Sequence, residues 1–209
     1  MQSEVFRRVE EDSTLPVRFS LQTVQDAIND GYEEMSAESE FYERTGTITL
    51  QANTTYYDLS DPAIFSDDIL TLRAVRNPQT GRWLRFRSYR DMDEHATRAW
   101  QIAYGESDIA ILRSLWWLGV YPKVQLAAGI LSTRHSAMPP RMTLATDTPA
   151  FPEEYHLGPV EYALSDLWCQ SRQFRKGDRY YQTYQNYLLA LKEYVDRRTS
   201  TAGEMLIGR

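Results

Sequence analysis

The stretch TPAFPEEYHLGPVEYALSDLW, residues 148–168, marks the point where a β-rich region gives way to a helix. Pro152 is well placed as a first helical residue, and the two glutamates after it favour the positive end of a helix dipole. From Val160 onward apolar residues recur at i, i+3, i+4, i+7 and i+8, which is one stripe of an amphipathic helix. Gly158-Pro159 interrupts this helix, and we expect a kink there in preference to a start at Pro159.

A second amphipathic helix precedes the β-rich region. It is predicted from Ser20 to Glu43, with Ser20 as its N-cap. Its apolar positions at helical spacing are Leu21, Val24, Ile28, Met35 and Tyr42. Residues 1–19 are polar, contain Pro16 and show no sustained period, so we expect an extended N-terminal arm there.

Two hairpins are expected early in the β-rich region. Residues 47–50 and 56–59 are rich in β-branched and aromatic side chains and predict the first. Residues 69–75 and 83–86 flank a turn that contains both Pro and Gly, and they predict the second.

The rest of this region is predicted to hold a short helix and a further strand pair. Residues 88–106 are typical of a short helix without a strong apolar stripe. The apolar stretches 108–123 and 124–135 follow it, and we expect them to pair as strands.

The last helix is predicted to follow a break at Lys176-Gly177, with Asp178 as a possible cap. One face carries Tyr181, Tyr184, Leu188, Leu191 and Val195, and its margin repeats a tyrosine every seven residues, at Tyr180, Tyr187 and Tyr194. This face is wider than one partner helix needs, so the three margin tyrosines are candidates for a subunit interface. From Thr199 the chain becomes small and polar, which predicts a flexible tail over 199–209.

These elements predict an α+β fold. A helical body, with one N-terminal and two C-terminal helices, comprises residues 20–45 and 151–198, and a β-rich lobe of residues 46–150 is inserted between them.

The composition narrows the class of protein. The chain has 209 residues, 42% of them hydrophobic and 25% charged, and no segment approaches the ~18 uninterrupted apolar residues of a membrane span. The N-terminus lacks the apolar core of a signal peptide, so a cytosolic origin is expected. Cys169 is the single cysteine, which excludes an intrachain disulfide, and its apolar surroundings predict a small buried side chain. A net charge of -6 argues against general nucleic-acid binding. It does not exclude a protein past which DNA must slide, because a weakly negative surface would avoid adhesion to phosphates.

The best candidates for catalysis are Asp91, Asp93 and His95, which could bind a divalent ion for phosphodiester cleavage. Their spacing matches neither HExxH nor an EF-hand, and a solvated helix face explains them more simply. Glu153, Glu154 and His156 are similarly explained by capping of a helix. We therefore expect no cofactor and no metal.

Basic residues surround the turn between the last two helices, at Arg172, Arg175, Lys176 and Arg179. They are interpreted as a solvated turn or a salt-bridging subunit rim, with nucleic-acid contact as the alternative.

The spacing of Trp117, Tyr121-Pro122, Asp147, Pro149 and the segment 151–164 resembles head-to-tail adaptor (connector) proteins of tailed bacteriophages. The resemblance extends from about Ser20 to Arg198 and includes LQTVQDAINDGYEEM and the final Tyr-rich helix. It implies a non-enzymatic virion protein of the head–tail neck, made in the host cytoplasm.

The same resemblance implies a homo-oligomeric ring, usually twelve-fold, beneath the portal. The ring would continue the DNA channel without sequence-specific DNA binding and would dock the tail. Met205, Leu206 and Ile207 form an apolar patch at the chain end and are candidates to bind a neighbouring subunit or the portal. The alternatives are a metal-dependent nuclease or hydrolase using Asp91, Asp93 and His95, and a monomeric binding module of a bacterial host.

Overall fold

The computed structural model describes residues 1–9, 18–65, 69–95, 100–114, 116–125, 129–144 and 146–207, without the side chains of 95 and 200–207. Contacts divide the chain into two compact units. The helical unit comprises Met1–Tyr42 and Met138–Arg209, and the β unit comprises Glu43–Ala137. The predicted α+β class is therefore confirmed, with helices before and after a β-rich middle.

Within the described residues, the α-helices are, in chain order, α1 (Gln2–Arg8), α2 (Leu21–Ser39), α3 (Tyr89–His95), α4 (Leu157–Gln170) and α5 (Phe174–Ile207). The strands are β1 (Glu43–Thr49), β2 (Tyr56–Asp58), β3 (Thr71–Asn77), β4 (Arg82–Trp83), β5 (Arg85–Arg87), β6 (Ile109–Leu112), β7 (Trp117–Tyr121) and β8 (Ile130–Ser136). Short 3-10 turns occur at Trp100–Ile102 and Glu153–Tyr155.

Helix α2 confirms the N-terminal helix and its cap. The Ser20 hydroxyl accepts a hydrogen bond from the backbone N–H of Thr23, which satisfies one of the free donors of the first turn. The predicted apolar positions Val24, Ile28 and Met35 are buried, whereas Leu21 is exposed. The helix ends earlier than predicted, because Glu40 adopts a left-handed conformation and β1 starts at Glu43.

The prediction of an extended N-terminal arm over residues 1–19 is wrong for residues 2–8, which form α1. Val5, Phe6 and Val9 are buried in the core of the helical unit. Arg8 bonds both Glu4 and the buried carboxylate of Glu161 in α4. A helix this short is marginal alone, so these tertiary contacts hold it in place. Residues 10–17 of the predicted arm lie outside the described residues.

The predicted kink at Gly158-Pro159 is also wrong. A 3-10 turn over Glu153–Tyr155 precedes α4, which begins at Leu157, so Pro159 lies in the first turn, where its missing N–H has no intrahelical role. The predicted stripe from Val160 to Trp168 is confirmed as buried core.

The break before the last helix lies earlier than predicted. The chain reverses at residues 171–173, where Arg172 has φ of 60°, and α5 runs through Lys176-Gly177 without interruption. Gly177 is required there by packing, because a Cβ would lie 2.5 Å from the Cys169 sulfur.

The predicted flexible tail is helical over residues 199–207, which continue α5 to Ile207. Residues 138–150, assigned from sequence to the β-rich lobe, belong to the helical unit. The Asn29 side chain fixes this segment by exchanging hydrogen bonds with the backbone N–H and C=O of Met142.

Two four-stranded sheets form the β unit, in the orders β1-β8-β3-β4 and β2-β7-β6-β5. The predicted first hairpin is wrong, because β1 pairs with β8 and β2 pairs with β7. The predicted second hairpin is confirmed in part. β3 pairs with β4 across the turn, while β5 leaves for the other sheet and runs parallel to β6.

The predicted pairing of the stretches 108–123 and 124–135 is also wrong. The first stretch folds back on itself as the β6–β7 hairpin, and β8 lies between β1 and β3. The predicted short helix over residues 88–106 is confirmed in part, as α3 over Tyr89–His95.

Helices α2 and α4 of the helical unit pack closely against each other at two glycines. A Cβ on Gly31 would lie 2.7 Å from the Cβ of Tyr162, and a Cβ on Gly158 would lie 2.6 Å from the sulfur of Met35. Each helix thus supplies a glycine opposite a large side chain of the other.

We expect Gly31→Ala to lower the free energy of unfolding by about 1–3 kcal/mol, the usual cost of overpacking. The loss should appear even though alanine is the better helix former by ~1 kcal/mol, because the new methyl group would meet the Tyr162 Cβ at 2.7 Å. Urea unfolding monitored by circular dichroism measures the difference.

Asn186→Ala is the matched control, since Asn186 is exposed in α5 and also gains helix propensity. Its stability should change by less than about 0.5 kcal/mol. If Gly31→Ala is as stable as the control, α2 and α4 do not pack this closely.

Candidate assembly surfaces

The predicted interface tyrosines lie half-buried along one side of α5. Tyr180, Tyr187 and Tyr194 pack against the core of the helical unit itself, and the Tyr194 ring lies 6.0 Å from that of Tyr155. Tyr184, Leu188, Leu191 and Val195 are the residues of the same helix that the core buries. Part of the surface of each margin tyrosine is therefore buried inside the subunit, and only the exposed remainder can contact a neighbouring subunit.

Helix α5 is much longer than the helix it packs against. Tyr194 contacts Tyr155, which precedes the first residue of α4, so α4 offers no further partner beyond this level. The last buried residue of α5 is Val195, within the part whose side chains are described, and the helix continues to Ile207. At 1.5 Å per residue this extension is roughly 18 Å long.

The predicted tail residues Met205, Leu206 and Ile207 fall in the last turn of this extension. Their side chains lie outside the described part of the chain. The backbone nevertheless places them at the end of a helix and not in a flexible tail.

Tyrosines connect the three long helices of the helical unit. Tyr162 of α4 meets Tyr184 of α5 edge to face, with ring centres 5.1 Å apart, and the Tyr184 hydroxyl donates to Glu34 of α2 at 3.2 Å. Burial, with the nearby charge of Glu34 as the next cause, raises the pKa of Tyr162 to about 12. The same two causes raise the pKa of Tyr184. Both phenols therefore stay protonated at neutral pH and act as hydrogen-bond donors.

The helical unit also presents a group of carboxylates on α2 and α4. We call this group the acidic face; its members are Asp26, Asp30, Glu33, Glu34 and Asp166. Arg141 donates to Asp30 and Glu33, and among the described residues it is the cation that these carboxylates bond. Tyr181 of α5, predicted from sequence to face the core, is 42% exposed and lies beside Tyr184.

The β unit exposes a continuous run of arginine and aromatic side chains. We call Arg82–Arg90, with sequence RWLRFRSYR, the arginine–aromatic edge. It contains β4 and β5, each the outer strand of its sheet, and the first residues of α3. Trp83 and Phe86 are each 41% exposed, and Tyr89 is 36% exposed.

The periodicity of the sequence does not identify this edge as a site. The available signal was its composition, because the segment has four arginines and three aromatic residues but no lysine, aspartate or glutamate. The tip of the β6–β7 hairpin, where Leu112, Trp116 and Trp117 are exposed, was also not recognised.

The acidic residues proposed for catalysis have structural partners. Asp91 and Ser88 bond each other's backbone N–H groups at the start of α3, as in a helix cap. The Asp93 carboxylate accepts a hydrogen bond of 2.9 Å from the indole N–H of Trp100, which is buried. The side chain of the third member, at position 95, lies outside the described residues.

The second acidic cluster is explained in the same way. The His156 ring nitrogen Nε2 and the backbone carbonyl of Phe151 are 2.8 Å apart, a hydrogen bond that holds the turn before α4. Glu153 and Glu154 are exposed in that turn. The described residues contain no group of three or more His, Cys, Asp or Glu side chains that could hold a metal ion.

Among the helices of the described residues, none combines the length and the apolar character that a bilayer crossing requires.

Exposed aromatic and arginine side chains on a folded α+β subunit are the residue types enriched where proteins bind other proteins. The model of the SU10 adaptor protein family matches residues 1–205. The chain belongs to this family of phage head-to-tail adaptors, so it is a structural protein of the virion neck whose partners are other virion components. No curated protein matches the chain.

We expect Asp93→Ala to destabilise the protein by about 1–3 kcal/mol, because the buried indole N–H of Trp100 loses its acceptor. The wild-type melting temperature should be the same in Mg²⁺, in Mn²⁺ and in EDTA. Thermal unfolding measures both effects.

Glu94→Ala is the control in the same helix, since Glu94 forms an exposed pair with Arg90. It should change stability by less than about 1 kcal/mol. Metal-dependent DNA cleavage by the wild type, lost in Asp93→Ala, would instead support the nuclease alternative.

Proposed function

We propose that this chain is the subunit of a homo-oligomeric ring, a dodecamer, that sits beneath the portal and docks the tail. The ring acts without catalysis and without a cofactor, and it assembles in the host cytoplasm. Family membership supports the adaptor role, and the length of α5 supports the ring.

The observation that carries the proposal is the extension of α5 beyond Val195. A ring repeats one heterologous interface, so each subunit must contact the next through two different surfaces. A helix that continues past its own partner helix provides one such surface, because it reaches beyond the core of its own subunit.

The two groups of candidate contact residues fit this geometry at different points of α5. Met205, Leu206 and Ile207 would bind a neighbouring subunit or the portal at the end of the helix. Tyr180, Tyr187 and Tyr194 would contribute only the faces that their own core leaves open.

The charge of the chain supports a DNA channel at the centre of the ring. A net charge of -6 gives a subunit that repels phosphate groups on average, so DNA would pass without sequence-specific binding and without general adhesion.

Truncation after Arg198 tests the proposal, because it removes the extension and keeps Val195. The melting temperature of the subunit should fall by less than about 3 °C, since the removed residues follow Val195, the last buried side chain among those that the structure describes. Ring formation with the portal protein, measured by native mass or sedimentation, should weaken at least about tenfold.

A full-length variant carrying Met205→Gln, Leu206→Gln and Ile207→Gln keeps the length of the chain and removes the apolar side chains at its end. It therefore distinguishes the contribution of the apolar residues from that of the extension as a whole. It should weaken assembly as the truncation does. If both proteins assemble as tightly as the wild type, the extension is not an interface.

A further inference from the structure

Only some of the arginines of the arginine–aromatic edge form ion pairs with carboxylates of the described part of the β unit. Arg85 pairs with Asp108 and Arg90 pairs with Glu94, both on the surface. Arg82 and Arg87 are exposed, and neither has an ion-pair partner among the described residues. Two guanidinium groups are therefore available to bind carboxylates or phosphates.

The aromatic side chains of the edge favour a protein over duplex DNA as the partner. Trp83, Phe86 and Tyr89 are exposed beside these arginines. The bases of a duplex are already stacked on each other, so exposed rings gain little from it, whereas Trp, Tyr and Arg are the residues that dominate binding energy between proteins.

Charge is distributed unequally between the two units of the chain. The helical unit has 19 acidic and 12 basic residues, and the β unit has 10 acidic and 11 basic residues. The net charges of the units are therefore -7 and +1. A basic edge of one copy has a complementary acidic surface on every other copy.

The acidic face supplies the groups that such an edge would bind. Among the described residues, Arg141 bonds Asp30 and Glu33, whereas Asp26 and Asp166 bond the uncharged side chains of Gln22 and Gln170. Tyr181, beside this face, exposes a ring on which a guanidinium can stack.

We propose that the arginine–aromatic edge of one copy binds the acidic face of the next copy around the ring. The inference rests on the proposed ring and adds a second pair of complementary surfaces to the interface that the α5 extension makes. Arg82 and Arg87 pair with carboxylates that include Asp26 and Asp166, and the exposed rings of the edge pack beside Tyr181.

Charge reversal on each side tests this pairing in the full-length chain. Arg82→Glu with Arg87→Glu, and separately Asp26→Arg with Asp166→Arg, should each weaken association of copies at least about tenfold. The combined variant carries all four changes and restores opposite charges across every interface, so it should regain most of the lost affinity. Sedimentation measures association, alone and with the portal protein, and thermal unfolding verifies that each variant folds.

Glu153→Arg with Glu154→Arg is the matched control. It changes the net charge by the same amount as Asp26→Arg with Asp166→Arg, at exposed glutamates of the helical unit outside the acidic face, and should associate like the wild type.

The outcomes separate this inference from the proposed function. If the wild type forms no ring alone or with the portal, the proposed function fails and the inference fails with it. If the wild type forms a ring and Arg82→Glu with Arg87→Glu does so equally well, only the inference is overturned. The same conclusion follows if this variant keeps its ring but loses affinity for the portal or for duplex DNA, or if the combined variant does not recover.

Discussion

The close approach of α2 to α4 is the constraint on which the helical unit depends. The two helices come from chain segments separated by the whole β unit, and they meet through glycines at Gly31 and Gly158. Such a contact requires the first and last residues of the inserted β unit to lie close together. The register of β1 with β8 provides this, because Glu43 pairs with Ser136 at the two ends of the β unit. Once α2 and α4 are in place, α5 and α1 pack on them, and Arg8 joins α1 to α4.

The helices were largely predictable because their signal is local. The stripe from Val160 to Trp168 repeats at helical spacing within a few turns, and the same is true of Val24, Ile28 and Met35. Two helical segments were missed for opposite reasons. Residues 2–8 are too few to show a period and are helical because they are packed. Residues 199–204 are small and polar, and the chain from 199 to 207 is helical because it continues a long helix that is already nucleated.

The strand partners could not be predicted from the same kind of signal. Alternation of side chains identifies a strand but carries no information about its neighbour. Both β1 and β3 pair with β8, which is distant in sequence, and residues 85–87 leave the hairpin for the second sheet. For a related reason, helix spacing alone could not predict which residues contact another copy. A tyrosine on the margin of a helix stripe is half-buried against its own core, so its spacing does not distinguish an internal contact from a contact with another copy.

The outer strands of a sheet present unpaired backbone groups, and an exposed apolar edge there promotes pairing with any other strand. In the arginine–aromatic edge, an arginine is adjacent in sequence to each exposed ring, so two such edges repel each other. In the proposed interface the same arginines attract the acidic face, which bears the opposite charge. The exposed rings then become buried only when the charges around them match. A single set of side chains thus opposes edge-to-edge association and selects the heterologous contact that a closed ring repeats.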